Sequence, residues 1–79
     1  MSDNNEIFNK VYQIRQLRCI RDGEEVSFRD IKNSIKNKEI DELFIFSISN
    51  RLYKQIINYL EESNIKYQIY GRSRIVLYF

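Results

Sequence analysis

Residues 42–49 read Glu-Leu-Phe-Ile-Phe-Ser-Ile-Ser, and this stretch decides the fold. In an extended chain Leu43, Ile45 and Ser47 point to one side, while Phe44, Phe46 and Ile48 point to the other. Both sides are largely apolar. The reading predicts a central strand covered on both faces.

Moving toward the C-terminus, Ser49 or Asn50 is placed to cap a helix whose buried stripe is Leu52, Ile56, Tyr59 and Leu60. Asn64 can end it in a left-handed conformation. Two alternating runs follow, IKYQIY and RIVLYF, joined at Gly71-Arg72-Ser73. Strand, helix and strand in succession predict a crossover unit. The last run then returns as an antiparallel hairpin. Ile65, Tyr67 and Ile69 are expected toward the core, with Lys66, Gln68 and Tyr70 outward. In the last run Ile75, Leu77 and Phe79 oppose Val76 and Tyr78.

Moving toward the N-terminus, Ser27 followed by Asp30 resembles a capping box, with Asp in place of the usual Glu. It opens a short helix with Ile31 and Ile35 inward and Arg29, Lys32 and Lys36 along a basic edge. Before it, Asp22-Gly23 is a hairpin signal, because a type I′ turn needs positive φ at both central positions. A two-residue loop would pair Arg21 with Glu24, Cys19 with Val26 and Leu17 with Phe28. The competing reading runs the first helix on to Ile20 and ends it at Gly23. That first helix is expected over Asp3–Gln16, from the spacing of Ile7, Val11 and Ile14, with Arg18 next in step.

The sum is a small single-domain α+β fold: a mixed sheet of three to five strands, two or three helices and a C-terminal β-hairpin. The alternative is a winged helix, with residues 49–63 as recognition helix and the Arg72/Arg74 hairpin as wing. That order of elements resembles the winged-helix fold, but LFIFSI is a strong strand where such a fold has a short turn.

With 79 residues the chain is expected to bury only about 60% of its unfolded surface, so its core is small. A 43% hydrophobic and 30% charged composition is globular. The polar start MSDNNEIF lacks the apolar core of a signal peptide, and no apolar run reaches the ~20 residues of a membrane span. One cysteine, Cys19, points away from a disulfide framework and toward the cytoplasm.

Histidine is absent, which removes the commonest general base and metal ligand. One cysteine and no histidine cannot make a usual zinc site within one chain. Two glycines are too few for a Gly-rich phosphate loop. The acid pairs Glu24-Glu25, Asp41-Glu42 and Glu61-Glu62 could serve a metal-dependent nuclease, yet each falls at a turn or element end where solvated acids are common. Ser47, Ser49 and Ser63 have no histidine to activate them. Arg18 and Arg21 near Cys19 could lower its thiol pKa, but a lone cysteine in a strand pattern is usually packed. The stretch IYGRS is similar to the second motif of the GIY-YIG nucleases over five residues. That family follows the motif with a helical arginine and a glutamate, whereas a short strand follows Gly71 here. A non-enzymatic protein without cofactor or metal is expected.

Charge is distributed unevenly although the net is only +2. Lys10, Arg15, Arg18 and Arg21 stand without an acid between Ile7 and Arg21, and Lys66, Arg72 and Arg74 stand without one after Ser63. The middle is acidic. Six tyrosines add apolar area with a polar tip. Tyr70 and Tyr78 beside Lys66, Arg72 and Arg74 would make an aromatic and basic patch, a composition suited to stacked bases and phosphates. It also suits a protein hot spot, and a homodimer contact is a further use. The leading expectation is a nucleic-acid-binding accessory or regulatory protein using Arg72, Arg74, Lys66, Tyr70, Tyr78 and the edge Arg29, Lys32 and Lys36. Its rival is an inhibitor or adaptor docking on a host protein or nucleoprotein complex. The Ile, Asn, Lys and Tyr bias suggests an AT-rich genome, hence a virus or mobile element.

Overall fold

The computed structural model describes residues 15–79. Its elements are β1 (Gln16–Arg18), β2 (Ile20–Arg21), β3 (Glu24–Glu25), α1 (Phe28–Lys36), β4 (Glu42–Phe44), α2 (Asn50–Glu62), β5 (Lys66–Tyr70) and β6 (Arg74–Tyr78). The fold is α+β. A four-stranded mixed sheet has the order β1-β4-β6-β5, and β2 and β3 form a separate hairpin.

β4 is central, as its sequence predicts, but the described residues cover it fully only on the helix side, where Leu43 and Ile45 are buried, while Phe44 is half-buried and Phe46 exposed. It pairs parallel with β1 and antiparallel with β6. Its regular part is three residues long, well short of the full apolar run. Both neighbours end there: Cys19 donates to the Phe44 carbonyl at 3.0 Å, and Ile45 donates to Ser73 of the last turn at 2.7 Å. Ser47 then adopts φ 69°, and the chain turns into α2. A strand lasts only while it has partners for its backbone groups. The winged-helix alternative falls with this placement, because β4 lies inside a four-stranded sheet and not in a turn between helices.

The crossover also forms. β5 pairs antiparallel with β6, and β6 with β4, so β4 and β5 run the same way with β6 between them. The final hairpin thus inserts into the crossover.

The Asp22-Gly23 hairpin is present, with φ of 52° and 80° and the expected Arg21–Glu24 register. Val26 N–H donates to Cys19 C=O at 2.8 Å, so those two also meet. Leu17 and Phe28 do not pair: Leu17 is opposite Leu43 in β1, and Phe28 opens α1. Parallel pairing with β4 buries Leu17 in the main core, which the small hairpin could not do. The helix expected from Asp3 lies, up to residue 14, outside the described residues. Its expected end does not hold, since Gln16 and Arg18 belong to β1, and neither does the extension to Ile20.

Both described helices lie on one face of the sheet. Ser27 caps α1 by accepting from Asp30 N–H at 3.2 Å, and Ser49 caps α2 by accepting from Leu52 N–H at 3.2 Å. Glu25 accepts from the backbone and hydroxyl of Ser49, so the hairpin is tied to the start of α2. Asn64 ends α2 at φ 56°. Ile31, Ile35, Ile56 and Leu60 are fully buried against Leu17, Leu43, Ile75 and Leu77. Each such side chain contributes about 1.5–3 kcal/mol of transfer free energy. Phe28 and Tyr59 join the helices edge to face, with centroids 6.3 Å apart. Among the described residues no helix is long and apolar enough to cross a membrane.

Candidate functional site

A strand's side chains alternate, so a sheet with helices on one face presents its second set on the other. The register places Leu17, Leu43, Ile75 and Ile69 in one row across the four strands, on the helix side. The next row on the opposite face is Arg18, Phe44, Arg74 and Tyr70, one residue from each strand. Behind it comes Gln16, Glu42, Val76 and Gln68, and then the pair Tyr78 and Lys66. Basic and aromatic side chains therefore alternate across the sheet on the face opposite α1 and α2.

Glu42 stands in the middle of this face and is 4% exposed. Its carboxylate accepts from Gln16 Nε2 and from Arg74 Nη1, the latter at 3.2 Å. A buried charge must be paired and hydrogen-bonded, and Glu42 meets both conditions. The Arg74 guanidinium also lies 4.9 Å from the centre of the Tyr70 ring, within cation–π range. One edge of Arg74 is thus held by Glu42 and one face by Tyr70. Phe44 has Phe46 beside it at 6.4 Å, and Phe46 is 60% exposed. Tyr78 is 49% exposed. The neighbouring Tyr70 phenol, ahead of desolvation, holds the Tyr78 phenol above its ordinary pKa.

Lys66, Tyr70, Arg74 and Tyr78 from the sequence reading are brought together here. Arg72 is not on this face: it sits in the turn with Gly71 and lines a depression of about 590 Å³ with Phe46, Ile48, Asn50 and Tyr53. Arg29, Lys32 and Lys36 lie on α1, across the sheet from the aromatic row. Lys32 stands 5.8 Å over the Tyr59 ring. The two basic groups therefore make separate surfaces.

Arg18, Phe44 and Glu42 were missed as site residues. The signal was the polar–apolar alternation of Gln16-Leu17-Arg18-Cys19, overridden by the helical spacing of Ile7, Val11 and Ile14 that continued to Arg18. Four of the six paired carboxylates have structural partners. Glu25 holds Ser49, Asp41 takes two hydrogen bonds from Arg15, Glu42 holds Gln16 and Arg74, and Glu61 accepts from Tyr67. No group of three metal-ligating side chains occurs among the described residues. Cys19 is fully buried, and burial, then Glu25, push its thiol up to about 11, with Arg21 acting weakly the other way. It is packing, not a nucleophile, at neutral pH.

No known protein family, curated protein or solved structure matches this chain.

Proposed function

We propose that this protein binds nucleic acid on the face of its four-stranded sheet opposite α1 and α2 and has no catalytic role. The observation that supports the reading is the row Arg18, Phe44, Arg74 and Tyr70, which sets cations and aromatic rings side by side on one surface. Rings offer stacking surfaces to bases, and lysine and arginine offer counter-charge to phosphates. An accessory or regulatory role in the cytoplasm, in a virus or mobile element, belongs to the same proposal and rests on composition.

The test is an anisotropy titration against short DNA and RNA, single- and double-stranded, at low and moderate salt. Binding should weaken steeply with salt. Replacing Arg18 and Lys66 together with alanine should lower the slope of log K against log salt by about 1.4–1.8. Absence of binding at low salt would sink the proposal.

One observation favours a second reading, the inhibitor or adaptor. Exposed Phe46 stands at the rim of the Arg72 depression, next to Ile48 and Tyr53. An aromatic–arginine pair beside a hollow suits a protein hot spot. That reading expects partner binding to tolerate salt and to fail in Phe46→Ala.

A further inference from the structure

Resting on the nucleic-acid reading above, we infer that the ligand of the face opposite α1 and α2 is a single strand and that Arg74 meets it as a stacking plane rather than as a phosphate partner. The face is four strands wide, about 14 Å from first to last strand axis. Its broad side cannot enter a B-DNA major groove about 12 Å wide, which admits a helix or a two-stranded ribbon. A duplex also hides the flat faces of its bases in its own stack. Rings displayed at Phe44, Tyr70 and Tyr78 reach base faces only where the bases are unpaired.

Arg74 differs from the other cations of this face. Glu42 takes one edge of its guanidinium at 3.2 Å and compensates its charge. Tyr70 takes one face at 4.9 Å. Even so, 43% of the Arg74 side chain stays accessible. What it presents outward is a flat, oriented cation with little net charge left for a phosphate, which is a stacking surface. Glu42, itself held by Gln16, is the residue that positions it. Arg18 and Lys66 form no ion pair with any described residue, and they lie on the two outer strands. They are the counter-charge for the backbone of a strand crossing the row.

The experiment is anisotropy of the full chain with a short labelled strand of mixed sequence, and with the same strand annealed to its complement, over a series of salt concentrations. The variants are Arg74→Lys, Arg74→Ala combined with Glu42→Gln so that no carboxylate is left without its counter-charge, and Lys66→Ala. Lysine at position 74 keeps the charge opposite Glu42, and with it the local packing, but removes the plane. The single strand should bind at least about tenfold tighter than the duplex. Arg74→Lys and the Arg74→Ala/Glu42→Gln double variant should both weaken single-strand binding, by about fivefold or more, and leave the salt slope unchanged. Lys66→Ala should lower the slope by about 0.7. Equal affinity for strand and duplex would overturn the inference while the nucleic-acid reading stands. A slope loss in the Arg74→Ala/Glu42→Gln double variant equal to that in Lys66→Ala would make Arg74 a phosphate ligand and overturn its assigned role. Binding of neither form would remove both the inference and the reading beneath it.

Discussion

Replacing Glu42 with glutamine tests the centre of the face opposite α1 and α2. The carboxylate receives two donors, Gln16 Nε2 and Arg74 Nη1. Glutamine is nearly the same shape but has one acceptor oxygen, and its amide group donates. One incoming donor therefore loses its partner and meets another donor. Breaking a fully buried ion pair costs about 3–5 kcal/mol, and an exposed pair is worth about 0.2–1. Here the Glu42 side chain is 6% exposed and that of Arg74 is 43% exposed, so solvent screens the arginine end. The cost should lie between those limits, near 1.5–2 kcal/mol. For a domain of this size each kcal/mol moves Tm by about 4–8 °C, so Glu42→Gln should melt roughly 6–16 °C lower. Circular dichroism during heating and urea titration measures this directly. A double-mutant cycle with Arg74→Met separates the pair from the packing around it, and a coupling of about 1 kcal/mol is expected. The same substitution releases Arg74 from its counter-charge, so nucleic-acid binding should become steeper in salt by about 0.7. A Glu42→Gln variant within about 0.5 kcal/mol of wild type, or one strictly additive with Arg74→Met, would refute the account of Glu42 as a paired, buried charge.

Two further predictions follow from the helix end and the buried thiol. Lys38 ends α1 at φ 56°, where glycine carries no steric penalty, so Lys38→Gly should raise stability by about 0.5–1 kcal/mol in urea denaturation. Cys19 should resist maleimide at neutral pH in the folded chain and react once urea unfolds it. Burial raises the thiol from its ordinary value of 9.0 to about 11 in the folded chain, so between these values the unfolded state binds fewer protons. Stability should be unaffected by this group below pH 9 and fall as pH rises through that window, by on the order of 2–3 kcal/mol at most. Cys19→Ala should lack that component when the two alkaline profiles are compared.

Much of the local structure was legible in the residues themselves. Ser27 and Ser49 cap their helices, Asp22-Gly23 turns, and Asn64 terminates α2, because each depends on backbone and side-chain atoms a few positions apart. The inward sets of both helices were also readable, since periodicity carries them: Ile31 and Ile35, then Leu52, Ile56 and Leu60, with Tyr59 of the expected stripe only partly buried. The last hairpin kept Lys66, Gln68 and Tyr70 on its outward side for the same reason.

Placement was a different matter. Apolar content marked Phe46 and Ile48 as part of a long strand, but hydrogen-bonding partners set strand length, and both neighbours end at Phe44 and Ile45. Arg18 fitted a helical step and became a strand residue because Leu17 gains more by pairing beside Leu43. Composition pooled all the basic residues, whereas the sheet divides them, with Arg29, Lys32 and Lys36 on one side and Arg18, Lys66 and Arg74 on the other. Sequence alone determined which residues cap, turn and face inward, because those choices are made over one or two turns of chain. Only the tertiary structure decided that Arg18, Phe44, Arg74 and Tyr70 form one row and that Glu42 lies buried beside it, because strand order and register join residues whose separation in the chain carries no periodic signal.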